Sequence, residues 1–106
     1  MATVDAGATF AEEISRIADE VAAVHADSVD KDARFPNETF DALKEAGALS
    51  ALVPEHLGGG GLGIADAAVA SFELGRRCGA SGLVFAMHQI QVACLVRHCD
   101  DSAWFE

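Results

Sequence analysis

The feature that most constrains this chain is a run of 19 residues, from Cys78 to Val96, that contains no charged side chain. A helix of about 20 apolar residues is long enough to cross a lipid bilayer. However, His88, Gln89 and Gln91 fall within the run, and an isolated span would leave these polar groups without partners in lipid. The sequence therefore predicts no membrane span, and instead a central helix that is surrounded by protein.

The size and charge of the chain exclude several classes of protein. Its 106 residues are enough for one domain. Seven basic and 17 acidic residues give a net charge of −10, which phosphate backbones and anionic lipids would repel. Hydrophobic residues make up 51% of the chain, which is too many for a disordered acidic tail. We therefore expect a globular domain that does not bind nucleic acid.

The cysteines and the N-terminus bear on the cellular compartment. Cys78, Cys94 and Cys99 are an odd number and include no Cys-x-x-Cys pair, and the first residues lack the basic start and apolar stretch of a signal peptide. These features are typical of a reducing compartment, so we expect a cytoplasmic protein.

The first predicted helix covers residues 10–28, where apolar residues recur with the 3.6-residue period of an amphipathic helix. These residues are Phe10, Ile14, Ile17, Ala18, Val21 and Val24. Thr9 and Glu12 form the capping box expected at its start. Residues 1–8 are then predicted to be a disordered tail, and the charged residues 27–34 a connector.

A second helix is predicted to begin at Pro36 and to end at Gly47, which is placed for a left-handed C-terminal stop. The apolar residues 48–53 are predicted to form a short extended connector. Residues 54–63, which contain five glycines, are predicted to form a loop.

A third helix is predicted from Ile64, with Asp66 near the positive end of its dipole. The small residues 79–82 are expected to break it, and residues 83–97 to form a fourth helix. The fold class that follows is all-α, an up-and-down bundle of four to five helices. The predicted domain covers residues 9–106, and because Asp100 or Asp101 is suited to begin another helix, the chain is predicted to be a truncated segment.

The glycine loop formally satisfies the G-x-G-x-x-G pattern through Gly58, Gly60 and Gly63. A dinucleotide site also requires a preceding strand and an acidic residue about 20 positions further on, and neither is present. The alternative, a connector that lets two backbones approach closely, is the interpretation we favour.

No other pattern indicates a complete active site. Cys94 and His98 share a helix face but lack the second pair of ligands that structural zinc requires, so the cysteines and His88 are expected to pack or to form hydrogen bonds. The serines lack the local motif of a catalytic nucleophile. We therefore assign no catalytic, cofactor-binding or metal-binding residue to this chain.

A set of short motifs, in this order and spacing, resembles the N-terminal helical domain of acyl-CoA dehydrogenases. They are Phe35-Pro36, Leu43-Lys44-Glu45-Ala46-Gly47, Val53-Pro54-Glu55-His56-Leu57-Gly58-Gly59, Gly61-Leu62-Gly63, Phe72-Glu73-Leu74-Gly75, then Ser81, His88 and Asp100-Asp101. The resemblance covers roughly residues 10–106. Gly60 departs from it, because a larger residue is common at that position in the family.

The resemblance implies a flavoenzyme of fatty acid metabolism with three parts: this domain, a middle β-domain and a C-terminal helical bundle. In such an oxidoreductase a carboxylate takes the α-proton of an acyl-CoA thioester, FAD accepts the β-hydride, and an electron-transfer flavoprotein reoxidises the flavin. The other two domains hold FAD and the catalytic carboxylate, so this chain alone is expected to be inactive. The resemblance also implies a homo-oligomer.

Within that family, the N-terminal domain contributes a wall of the acyl pocket. Ser81, Phe85 and Gln89 share one stripe of the fourth helix and are the candidate substrate-binding residues, with Phe85 capping the pocket. The alternative is that Phe85 belongs to the hydrophobic core. Two other functions stay open: the same domain of a flavin-dependent monooxygenase, and a non-catalytic helical interaction module.

Overall fold

The computed structural model describes residues 6–98, and within this range it contains five α-helices and no β-strand. The helices are α1 (Ala6–Ile17), α2 (Ala23–Lys31), α3 (Asn37–Glu45), α4 (Ile64–Gly75) and α5 (Gly79–His98). A single turn of π-helix, Ala18–Ala22, joins α1 to α2 without a break. The all-α prediction is therefore confirmed.

The π-turn changes which residues of the first long helix face the core. The backbone N–H of Ala23 donates to the carbonyl of Ala18, five residues earlier, so one extra residue is inserted into the turn. Ile14, Ile17 and Ala18 are fully buried as predicted, but Val24 is 67% exposed. The sequence analysis was wrong about Val24 because it assumed an unbroken 3.6-residue period, whereas the insertion brings Ala22 and Val29 inward instead.

The ends of this long helix also differ from the predicted ones. The helix begins at Ala6, so Thr9 lies within it and the predicted capping box with Glu12 is wrong. Residues 6–8 of the predicted tail are helical, and residues 1–5 lie outside the described residues. The predicted connector at residues 27–34 is helical as far as Lys31, because its charged residues flank a buried Val29.

The segment around α3 follows the sequence prediction at both ends. Pro36 directly precedes the helix, and Gly47 follows it with φ of +74°, the left-handed conformation expected of a C-terminal stop. The predicted extended connector at residues 48–53 is wrong, since Ala48–Ser50 forms a 3₁₀ turn. This turn buries Ala48 and Ala51 against the bundle.

Helices α4 and α5 form a hairpin whose two backbones touch at Gly75 and Gly82. A Cβ atom placed on Gly82 would lie 2.7 Å from the backbone N of Gly75 and 3.0 Å from the carbonyl oxygen of Ser71. The link between the helices is only residues 76–78, and α5 already begins at Gly79. Residues 79–82 therefore do not break the helical pattern as predicted: they are its first turn, and their small size permits the close crossing.

All five helices contribute to one hydrophobic core. Its buried members are Ile14, Ile17, Ala18, Ala22, Val29, Leu43, Ala48, Ala70, Leu74, Cys78 and Phe85. Phe85 is the largest side chain that is fully buried. The core therefore lies between the α4–α5 hairpin on one side and the α1–α2 helix and α3 on the other.

An ion pair on the surface braces the junction between α2 and α3. The Arg34 guanidinium donates to Glu38 Oε2 at 2.9 Å and to the hydroxyl of Ser28 at 2.9 Å. The hydrogen bond from Arg34 lowers the pKa of the Glu38 carboxyl below its ordinary value.

Substitution of Gly82 tests the close helix crossing. We expect Gly82→Ala to lower the free energy of unfolding by about 2 kcal/mol, because the new methyl group meets backbone atoms that cannot move aside. The matched control is Gly79→Ala in the same helix, where no atom lies within 4 Å of the added Cβ. Urea unfolding followed by circular dichroism measures both. Equal free energies of unfolding for the two variants would contradict the close contact between α4 and α5 at Gly82.

The ion pair predicts a dependence of stability on pH. Because the folded-state pKa of Glu38 is lowered, its contribution is present above the unfolded pKa and is lost as pH falls. We expect the urea midpoint to drop between about pH 6 and about pH 3, and less steeply in Arg34→Gln. The control is Lys44→Gln on α3, which removes a charge that has no ion pair within residues 6–98. In this variant the urea midpoint should fall with decreasing pH as steeply as in the native chain.

Candidate functional site

The three candidate residues of the sequence analysis do share one face of α5, and that face is buried. Ser81 and Phe85 have no exposed surface, and Gln89 is 2% exposed. Phe85 lies in the hydrophobic core, in agreement with the alternative interpretation. This face of α5 is therefore covered by the chain itself.

Two polar side chains of α5 attach the helix to the 3₁₀ turn after α3. His88 Nε2 lies 2.7 Å from the carbonyl oxygen of Leu49, and Gln89 Nε2 donates to the carbonyl oxygen of Ala48 at 2.9 Å. Since a carbonyl only accepts, Nε2 of His88 carries the proton. The expectation of a hydrogen-bonded His88 is confirmed.

Two buried polar atoms on the same face lack a partner. Ser81 Oγ and Gln89 Oε1 form no hydrogen bond within the part of the chain that the structure describes. A buried acceptor without a donor costs free energy, which makes these atoms unusual in an otherwise apolar interface.

The opposite face of α5 is apolar and exposed, and sequence reasoning missed it. Leu83, Met87 and Ile90 follow one another at i, i+4 and i+7 and are 63%, 55% and 62% exposed. The signal was present in the sequence, because the charge-free run supplies apolar residues to every face of the helix rather than to one. Contiguous exposed apolar side chains typically mark a surface that contacts a ligand or a partner.

A groove, here called the hairpin groove, lies between α4 and α5 beside this exposed face. It has a volume of about 240 Å³ and is lined by Ile64, Ala67, Ala68, Ser71, Ala86, Gln89 and Ile90. The Ser71 hydroxyl donates to the carbonyl of Ala67 at 2.8 Å, so its donor is satisfied within α4. None of the lining residues is titratable, so the hairpin groove can hold an apolar group away from water but cannot itself transfer a proton.

A smaller cavity, here called the end groove, shares Ile64 with the hairpin groove. Its volume is about 140 Å³, and its walls are Leu52, Leu62, Gly63, Ile64, Ala93, Val96 and Arg97. Among the lining residues that the structure describes, Arg97 is the charged one. The two grooves together follow α5 from Ala86 to its last turn.

The glycine loop is a structural connector, as the sequence analysis favoured. A Cβ on Gly59 would collide with Val53, and one on Gly60 would lie 2.9 Å from the carbonyl oxygen of Ala51. The backbone N–H groups of residues 58–62 all donate to carbonyls of residues 50–55. No amide of this stretch is left to bind a phosphate, so the dinucleotide interpretation fails on geometry.

Within residues 6–98, no three histidine, cysteine or acidic side chains are grouped so that they could hold a metal ion. Helix α5 is long and apolar enough to cross a membrane by length and composition, although core helices of soluble proteins also meet this criterion.

The predicted start of a further helix at Asp100 or Asp101 lies outside the described residues.

Comparison with known proteins identifies relatives of this chain. It is 39% identical over 64 residues to a probable acyl-CoA dehydrogenase of Bacillus subtilis (strain 168), a match that covers 60% of this chain and 17% of that protein. It is 32% identical over 65 residues to the acryloyl-CoA reductase (NADH) of Anaerotignum propionicum, which covers 61% of this chain and 16% of that protein. The matches thus span about a sixth of the length of these relatives. No solved structure matches the chain.

The family assignment depends on a match of much wider extent. The family model of the acyl-CoA dehydrogenase N-terminal domain matches residues 5–103, which is nearly the whole chain. This range contains the α4–α5 hairpin, both grooves and the glycine loop. The chain therefore belongs to the acyl-CoA dehydrogenase N-terminal domain family.

Proposed function

We propose that this chain is the N-terminal domain of a flavin-dependent acyl-CoA dehydrogenase and that it forms one wall of the pocket for the acyl group of the substrate. Family membership supports an oxidoreductase domain. The names of the two relatives both refer to acyl-CoA thioesters. The observation that carries the proposal is the exposed apolar face of α5 beside the hairpin groove.

In this proposal the pocket wall is the exposed stripe of Leu83, Met87 and Ile90. The three span about 10 Å along the helix axis, at 1.5 Å per residue. They present only hydrocarbon and a thioether, which suits an aliphatic chain that leaves water. Phe85 supports this wall from behind, because it fills the core on the other side of the same helix.

Gln89, another candidate of the sequence analysis, then positions the wall, whereas Ser81, the third, is buried and forms no side-chain hydrogen bond within residues 6–98. The bond from Gln89 to Ala48 fixes the rotation of α5 about its axis, and so fixes which residues face the pocket. Gln89 also lines the hairpin groove, where its free Oε1 is a potential acceptor.

The remaining parts of the reaction are proposed to lie outside this chain. FAD, when bound, accepts the hydride from the β carbon, and a carboxylate of another domain takes the α-proton. The loop amides offer no site for its phosphates here, which agrees with a flavin held elsewhere in the enzyme. This chain excludes water from the acyl group. An electron-transfer flavoprotein as acceptor, a homo-oligomeric assembly and a cytoplasmic location belong to the same proposal.

A second candidate function is a helical interaction module, and the exposed face of α5 favours it as well. An apolar helix face with i, i+4 and i+7 anchors is also the pattern that binds a partner helix. The two candidates differ in one measurement. Acyl-CoA should bleach the flavin absorbance of the polypeptide that carries this domain if the first proposal is correct, and should have no effect if the second is.

The choice of pocket wall can be tested in that enzyme by measuring kcat/KM for straight-chain acyl-CoA substrates of increasing length. Removing the side chain of Met87 enlarges the proposed pocket, so Met87→Ala should shift the ratio of kcat/KM towards longer chains by about tenfold. Phe85→Ala should lower the free energy of unfolding by about 3–5 kcal/mol without shifting that ratio, because its side chain fills the core.

Val69→Ala is the control for this comparison, since Val69 is exposed on α4 and does not line either groove. It should change neither the chain-length preference nor the stability appreciably. If the chain-length preference shifts in Phe85→Ala but stays native in Met87→Ala, the pocket wall is formed by the buried face of α5 and not by the exposed one.

A further inference from the structure

On the basis of the function proposed above, we propose further that the hairpin groove recognises an acyl group with a hydroxyl remote from the thioester, and that Gln89 Oε1 accepts the hydrogen bond from this hydroxyl. A buried acceptor carries the proposal. Gln89 lines the groove and is 2% exposed, and its Oε1 has no hydrogen-bond partner within residues 6–98. Such an acceptor costs free energy until a donor reaches it.

The other end of the Gln89 amide fixes the direction of Oε1. Nε2 donates to the carbonyl oxygen of Ala48 at 2.9 Å. Because a carbonyl only accepts, the nitrogen and not the oxygen must face the 3₁₀ turn. The oxygen of the planar amide therefore points away from that turn. The contact of His88 with Leu49 holds α5 at a second point, so the position of the amide is set by the fold.

Gln89 and Ser71 bring two acceptor oxygens to an otherwise apolar wall. The proton of the Ser71 hydroxyl is committed to the carbonyl of Ala67 at 2.8 Å, so its oxygen can only accept a further hydrogen bond. The other lining residues that the structure describes are all apolar: Ile64, Ala67, Ala68, Ala86 and Ile90. A ligand that presents a hydrogen-bond donor on an aliphatic body matches this lining.

A hydroxyl is the smallest uncharged donor, and it suits the groove. No lining residue that the structure describes is charged, so a buried ammonium would find no anion here. The volume of about 240 Å³ is below the roughly 300–1,000 Å³ of pockets that hold a whole small molecule. The groove therefore takes only part of the ligand. Since other domains place the reacting carbons in the proposed function, this part is the one remote from the thioester.

The rim of the groove is exposed on both helices. Ile64 on α4 is 51% exposed and Ile90 on α5 is 62% exposed, whereas Gln89 between them is buried and forms the floor. A hydroxyl that enters past this rim meets Oε1 out of contact with water. In such surroundings a hydrogen bond is electrostatically stronger than in water.

The test uses the enzyme that contains this domain and pairs of acyl-CoA substrates of equal chain length. One member of each pair is plain, and the other carries a hydroxyl on the carbon farthest from the thioester. We expect kcat/KM to be about tenfold higher for the hydroxylated member, because the plain chain leaves the buried acceptor unpaired. Gln89→Met removes the acceptor at nearly the same volume and should lower this ratio about tenfold.

His88→Leu is the matched control. It removes the neighbouring hydrogen bond from α5 to the same 3₁₀ turn, and His88 is not among the lining residues of either groove. This variant should keep the native ratio of kcat/KM. Gln89→Glu retains an acceptor oxygen at the same position and should keep the preference for the hydroxylated substrate as well. A ratio that falls equally in His88→Leu would reduce Gln89 to a support for the helix and overturn the proposal.

The native enzyme decides the question even if Gln89→Met does not fold. Equal kcat/KM for the two members of a pair, or a preference for the plain one, overturns the recognition of a hydroxyl and leaves the proposed function standing. A preference that survives in folded Gln89→Met places the recognition at another residue. If no acyl-CoA bleaches the flavin, the proposed function fails, and the assignment of Gln89 fails with it.

Discussion

The contact between Gly75 and Gly82 is the constraint on which the rest of the domain depends. With no side chain on either residue, α4 and α5 approach until their backbones touch. That spacing sets where each face of α5 lies. It turns Phe85 into the core, turns Leu83, Met87 and Ile90 outward, and leaves a shallow groove lined by the small residues Ala67, Ala68 and Ala86. A larger residue at the crossing would separate the helices and displace all of these features together.

Helix α5 consequently has two apolar faces with different roles. The inner face is held by core packing and by hydrogen bonds from His88 and Gln89 to consecutive carbonyls of the 3₁₀ turn. The outer face is equally apolar and is left exposed within residues 6–98. Contiguous exposed apolar side chains of this kind typically mark a surface that contacts a ligand or a partner. In the function proposed above, the acyl group of the substrate covers this face.

Much of the fold could be predicted from local chemistry. Pro36 and Gly47 bound α3 as expected, because their backbone preferences act within a few residues. Asp66 was expected near the positive end of the α4 dipole. Its carboxylate also accepts a hydrogen bond from the backbone N–H of Gly63 at 3.2 Å. The errors at Val24 and at residues 79–82 have another cause. At Val24 the cause is the residue inserted by the π-turn, and at residues 79–82 it is the close crossing of α4 and α5. A periodic pattern of apolar residues records neither.

The sequence by itself determined the helical class, the family and the uncharged run from Cys78 to Val96, because composition, turn residues and motif order are local properties of the chain. Only the tertiary structure decided which side of α5 is free. The structure buries Ser81, Phe85 and Gln89, the sequence candidates for the pocket, on the inner face of α5, with Phe85 in the hydrophobic core and Gln89 also at the hairpin groove. A helix that is apolar on every side carries no pattern to orient it, so its orientation is set by the glycine crossing and by the two carbonyls that its polar residues reach.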